Sequence, residues 1–111
     1  MLKIANLSKV YGKGETAVKA LDNVSFSVHK GEFVAIIGPS GSGKSTLLHL
    51  LGGVDRPTGG EVIIDNTNIY QLTETQLAIF RRRQIGLIYQ FYNLIPILTV
   101  KENITLPVLL D

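Results

Sequence analysis

Gly38-Pro39-Ser40-Gly41-Ser42-Gly43-Lys44-Ser45-Thr46 is the stretch on which the reading of this chain turns. Residues 38–45 fit G-x-x-x-x-G-K-[ST] at every fixed position. Glycines at 38, 41 and 43 allow backbone dihedrals closed to other residues and let the chain approach an anion closely. Successive amide N–H groups then converge on phosphate oxygens, aided by the positive end of the helix that follows. In that arrangement Lys44 reaches β- and γ-phosphates as a point charge, and the Ser45 hydroxyl ligates Mg²⁺. Thr46 offers a further hydroxyl to the α-phosphate. At ordinary residue frequencies, chance produces this pattern in roughly 0.4% of chains this long. A glycine-rich turn with an incidental lysine is the plain alternative, and it does not explain the flanks.

Those flanks read as strand, loop, helix. Phe33-Val34-Ala35-Ile36-Ile37 is continuously apolar, as in a parallel strand covered on both faces. Leu47-Leu48-His49-Leu50-Leu51 is a leucine-rich helix, with Gly52-Gly53 as its stop. His29 and His49 read as structural. Further out, residues 3–10 and 17–21 read as strands around a turn at Tyr11-Gly12-Lys13-Gly14. Val24-Ser25-Phe26-Ser27-Val28 alternates with period two, as an antiparallel strand with one buried face does. Residues 55–60 form a loop before a short alternating strand, 61–65. Thr73 and Gln76 have capping-box spacing, and the helix they open carries Leu77 and Phe80 on one face. Arg81-Arg82-Arg83 falls in its last turn, where positive charge suits the dipole; a solvated helix end is the preferred reading over lipid contact. Ile85-Gly86-Leu87-Ile88-Tyr89 is a second apolar strand, ending at Gln90. Thr99 caps a last helix from about Val100.

Composition sets the outer limits. The chain has 111 residues, formal net charge +2 and no cysteine, with 45% hydrophobic and 18% charged residues. That length suits no more than one domain. The charged share lies below the roughly 25% usual for soluble domains, and the mean hydropathy is +0.24. Disorder is excluded, as are a disulfide framework, a thiolate zinc site and a cysteine nucleophile. So small a net charge does not argue for nucleic acid. The longest uncharged stretch, 84–100, is broken by Gln90, Asn93 and Pro96 and cannot span a membrane as a helix. The N-terminus has no apolar signal core, so the expected location is the cytoplasm.

Together these segments resemble the ATPase subunit of an ABC transporter. The resemblance is carried by residues 31–48, by Leu51-Gly52-Gly53-Val54-Asp55-Arg56-Pro57-Thr58-Gly59-Gly60-Glu61-Val62, and by residues 85–104 with their Tyr89-Gln90…Leu94…Pro96…Leu98-Thr99-Val100 pattern. The last stretch, with Leu106-Pro107, is similar to the branch of lipoprotein-releasing, macrolide-export and peptide-antibiotic-resistance ATPases. The resemblance implies ATP and Mg²⁺ as cofactors. It places Tyr11 where an aromatic ring stacks on adenine, although a tyrosine at a strand end otherwise serves packing. It makes Gln90 the Q-loop glutamine, a ligand of Mg²⁺ and sensor of the γ-phosphate; otherwise Gln90 is a surface residue. Lys44 and Gln90 are then the catalytic pair, and Gly38 to Thr46 hold the nucleotide. Residues 91–102, opening with Phe91 and Tyr92 and closing on Lys101 and Glu102, would face a transmembrane subunit. Phe91, Tyr92, Leu94 and Ile95 read as core packing without the resemblance. A second ATPase subunit completes a homodimer, peripheral at the inner face of the cell membrane.

The same resemblance marks departures. No serine-glycine-glycine signature, second strand ending in Asp-Glu, or switch histidine is found in these residues. The expected fold is therefore an incomplete α/β P-loop NTPase: an antiparallel β subdomain (about 1–30 and 60–70) plus part of a parallel core with the phosphate-loop helix. Residues 1–111 would be the N-terminal half of one ATPase domain, binding nucleotide without turnover. Residues 33–37 and 85–89 would each expose apolar edges with unpaired backbone groups. The alternative is a stand-alone, non-catalytic nucleotide-binding or regulatory module. Export or release suits the suspected branch better than import.

Overall fold

Strand β1 (Leu2–Tyr11) lies between β2 (Val18–Val28) and β3 (Gly59–Ile64), with β4 (Thr67–Asn68) outside β3. The computed structural model describes residues 1–110, and every strand pairing in it is antiparallel. Two of the bulges that shape the sheet fall at asparagines with positive φ. Ile4 and Leu7 are both buried although three residues apart, because the register shifts between them at Asn6, whose φ is 52°. The two strands expected over 17–28 are one strand, carried through Asn23 (φ 56°) in the same way. Each bulge leaves an amide out of the ladder, and a serine on the neighbouring strand accepts it. Asn6 N–H donates to Ser25 Oγ at 2.8 Å, and Asn23 N–H donates to Ser8 Oγ at 2.9 Å. Opposite the first bulge, Gly60 (φ +88°) lies so close that a Cβ there would stand 2.3 Å from the Asn6 carbonyl oxygen. Asp65 and Asn66, both with positive φ, make the two-residue turn into β4.

Helices α1 (Lys44–Leu51) and α2 (Glu74–Gln84) pack on this sheet, and α3 (Val100–Leu110) follows. The core is Ile4, Leu7, Leu21 and Val62 from the sheet, Leu47 and Leu50 from α1, Ile69, and Leu77 from α2, with Phe80 at its border. The capping box at Thr73 and Gln76 is present in both directions. At the other end of α1, Val54 N–H bonds to the His49 carbonyl and Gly53 N–H to that of Leu50, the paired closure of a Schellman stop. Arg81 departs from the solvated reading: it is half-buried, and its guanidinium donates to the Gly53 carbonyl at 2.9 Å.

Residues 33–37 and 85–89 join no ladder among the described residues. Phe33, Ile37 and Ile88 are 97%, 90% and 97% exposed, as the expectation of uncovered apolar segments requires. Their composition is that of strands, but strand geometry needs a neighbour's backbone as well as apolar side chains.

Tyr70 ties α1 to the loop after it, donating toward the carbonyls of Leu50 and, at 2.6 Å, Asp55. Burial, reinforced by the Asp55 charge, pushes its phenol up to about 12 from 10.0. The unfolded chain therefore loses this proton first. The stability Tyr70 contributes is complete below pH 10 and disappears as pH climbs through about 12. Urea midpoints measured from pH 9 to 12 should fall more steeply for the wild type than for Tyr70→Phe, and parallel curves would refute this.

Candidate functional site

The phosphate-loop sequence builds a helix start without a side-chain cap. α1 begins at Lys44 with Gly43 as its N-cap, at φ 95°, and no side chain caps it. The first amides of any helix lack intrahelical acceptors, so here they are left to an anion. Glycine is required at this cap: a Cβ on Gly43 would stand 2.4 Å from the Ala20 carbonyl oxygen of β2. The loop closes through Ser42 N–H to the Pro39 carbonyl at 3.2 Å. The Lys44 ammonium lies over it, donating to the carbonyls of Gly38 and Pro39 (2.7 Å for the latter) and at 3.4 Å to Ser42 Oγ.

Ser40, Gly41, Ser42, Gly43, Lys44, Ser45 and Thr46 line a cavity of about 560 Å³, with Val18, Lys19 and Ala20 of β2 as one wall. Gln90, more than forty residues from the loop in sequence, lines it too. Among the described residues its lining offers ammonium, hydroxyl and amide groups and no carboxylate, a composition that receives an anion. The hydroxyl of Ser45 and the amide oxygen of Gln90 are hard donors, of the type Mg²⁺ takes when phosphate oxygens and waters complete its shell. The residues present therefore fit a magnesium-bound polyphosphate. Gly38 and Pro39 sit beneath Lys44 and outside the lining.

Tyr11 also lies outside it, paired in the ladder with the wall residue Val18. Its hydroxyl donates to Asp55 Oδ2 at 3.0 Å, and the Lys9 ammonium lies 5.0 Å from the ring centroid. Lys9 also donates to Asp55 Oδ1 at 3.3 Å and to the Arg56 carbonyl at 2.6 Å. Burial works against ionisation of Asp55, but the Arg56 N–H, the Tyr11 hydroxyl and Lys9 outweigh it and hold its carboxyl below the ordinary range. Lys9 and Asp55 meet across 46 residues of chain, a contact that no local pattern in the sequence reveals.

Residues 91–97 are exposed. Phe91, Tyr92, Leu94 and Ile95 are all among the exposed large apolar residues, so they are not core. Asn103 braces this segment. Its side-chain NH₂ donates to the carbonyls of Ile95, Leu98 and Thr99, and its Oδ1 accepts from Ile95 N–H. Thr99 and Glu102 form a second capping box at the start of α3. His49 of α1 faces Tyr89, ring centroids 6.4 Å apart.

The sequence profile of the ABC transporter family matches residues 21–109. The chain belongs to the ABC transporter family. An uncharacterized ABC transporter ATP-binding protein of Methanocaldococcus jannaschii, MJ0796, is 49% identical over 109 residues, covering 98% of this chain and 46% of that protein. The ABC transporter ATP-binding protein YxdL of Bacillus subtilis is 46% identical over 111 residues, 100% of this chain and 43% of its own length. The dimeric structure of MJ0796 in a post-hydrolysis state, bound to ADP and Pi, superposes with a TM-score of 0.93 at 48% identity, covering 99% of this chain and 47% of that one. A second dimeric MJ0796 structure gives 0.94. This ABC cassette segment thus has the P-loop NTPase fold of its relatives, and it spans about half the length of those it matches. No helix of the described residues is long and apolar enough to cross a membrane.

Proposed function

We propose that this chain is the nucleotide-binding part of a transporter ATPase and binds Mg·ATP, with the triphosphate in loop 38–46 and the adenine on Tyr11. The observation that carries the reading is the shared cavity: the uncapped α1 start, Lys44, Ser45 and Gln90 converge on one anion-receiving space. Lys44 would exchange the Gly38 and Pro39 carbonyls for β- and γ-phosphate oxygens. Ser45 and Gln90 would hold the magnesium ion, which when bound neutralises charge on the phosphates. ADP and Pi bound to MJ0796 support the same ligand class here.

In the whole protein, hydrolysis would be coupled to transport across the membrane, with export or release as the direction and a second ATPase subunit completing the site. The exposed segment 91–102, held by Asn103, is the surface that would meet the transmembrane partner at the inner membrane face. A general base must take or orient the attacking water's proton. No carboxylate of the described residues lines the cavity, so this chain by itself should bind without turnover. Calorimetric titration with Mg·ATP should give saturable binding, and a phosphate-release assay on the same sample should stay at background. Absence of binding, or release that survives loss of Lys44, contradicts the reading.

A further inference from the structure

The base platform itself needs positioning, and the structure shows what supplies it. A tyrosine at the exposed end of a strand has a free χ1 and χ2 unless something holds it, and an untethered ring loses rotamer freedom when a base stacks on it. Tyr11 is held at two points. Its hydroxyl is fixed on Asp55 Oδ2, and one face of its ring is taken by the Lys9 ammonium at 5.0 Å. Tyr11 is 44% exposed, so part of the residue is open to solvent. Lys9 is itself pinned by Asp55 and the Arg56 carbonyl, and its side chain is only 14% exposed. Asp55 is the hub. Its carboxylate takes Lys9 and Tyr11, and its carbonyl takes Tyr70, which also bonds Leu50 of α1.

We propose that Asp55, together with Lys9, is a positioning residue for nucleotide-base recognition. It locks the Tyr11 ring with one face covered and the other presented to a purine, and it ties that ring to the C-terminal end of the phosphate-loop helix. The proposal rests on the reading of Tyr11 as the base platform. The spacing between the base and triphosphate subsites is then set by one residue, whose carboxylate holds the base platform and whose carbonyl reaches α1 through Tyr70.

The test separates base from phosphate by titrating the chain with two probes, Mg·ATP and inorganic magnesium tripolyphosphate. Tyr11→Ala should weaken ATP about 5- to 150-fold, the range for losing one base–aromatic stack. Tyr11→Phe keeps the ring and removes its tether; Asp55→Ala removes the hub. Each should weaken ATP about three- to tenfold and leave tripolyphosphate unchanged. The double variant Asp55→Ala/Tyr11→Phe should be no weaker than the worse single one, since both break the same bond. Equal losses for both probes in Asp55→Ala, or full ATP affinity in Tyr11→Phe, overturn the proposal. Full ATP affinity in Tyr11→Ala instead sinks the base-platform reading beneath it.

Discussion

Lys44→Ala is expected to weaken Mg·ATP binding about 10- to 150-fold, the effect of removing one strong hydrogen-bonding partner of a charged group. The geometry makes the loss specific. The ammonium donates to the carbonyls of Gly38 and Pro39, and no other side-chain cation of loop 38–46 is there to replace it. Those amides remain in the variant, so residual binding should persist at high nucleotide concentration. Unfolding free energy should hardly change, because Lys44 carries none of the core. Parallel calorimetry and urea denaturation check both halves. An unaltered dissociation constant removes Lys44 from the site, and a large stability loss would mean that it holds the fold and not the ligand.

Gly60→Ala should cost about 3–5 kcal/mol of folding stability, combining a strained positive φ with a clash against backbone. A Cβ at Gly60 would stand 2.3 Å from the Asn6 carbonyl oxygen and 2.6 Å from Leu7 Cα, so relief requires parting β1 from β3. Native domains hold only about 5–15 kcal/mol in total. The neighbouring glycine is the control. A Cβ at Gly59 meets nothing within 4 Å, so Gly59→Ala should fall within about 0.5 kcal/mol of wild type. Equal effects at the two positions would show that the bulge at Asn6 does not depend on Gly60.

Gly59 and Gly60 also mark where sequence reading stops. As a pair they read as a loop, and nothing local says that only one lies against a bulge formed some fifty residues earlier. What is local was legible: the phosphate loop and its helix, the Gly52-Gly53 stop, the capping box at Thr73, and the inward face of Leu77 and Phe80. The extended segments were legible in composition but not in pairing. Residues 33–37 and 85–89 have strand-like side chains and no ladder among the described residues, whereas Val18–Val28 runs as one strand, with Ser8 accepting the amide that the bulge at Asn23 frees. The site divided in the same way. Residues 38–46 announced themselves by spacing and Gln90 by resemblance, while Asp55, Lys9 and Asn103 act through contacts that exist only after the chain has folded back.

The pairing of β1 with β3 has a kinetic consequence. Ile4 stands opposite Val62, so the whole phosphate loop and its helix are an excursion whose two ends are joined by the sheet. Closing so long a loop is slow, because its entropy is lost before the ladder compensates. Gly43 lies against Ala20 of β2 and Asp55 holds Lys9 and Tyr11 of β1, so the proposed nucleotide site is complete only once the chain has folded back onto those two strands. Nucleotide binding followed during refolding would therefore report the arrival of the first strand beside the third, and not the earlier formation of the helix that holds the phosphates.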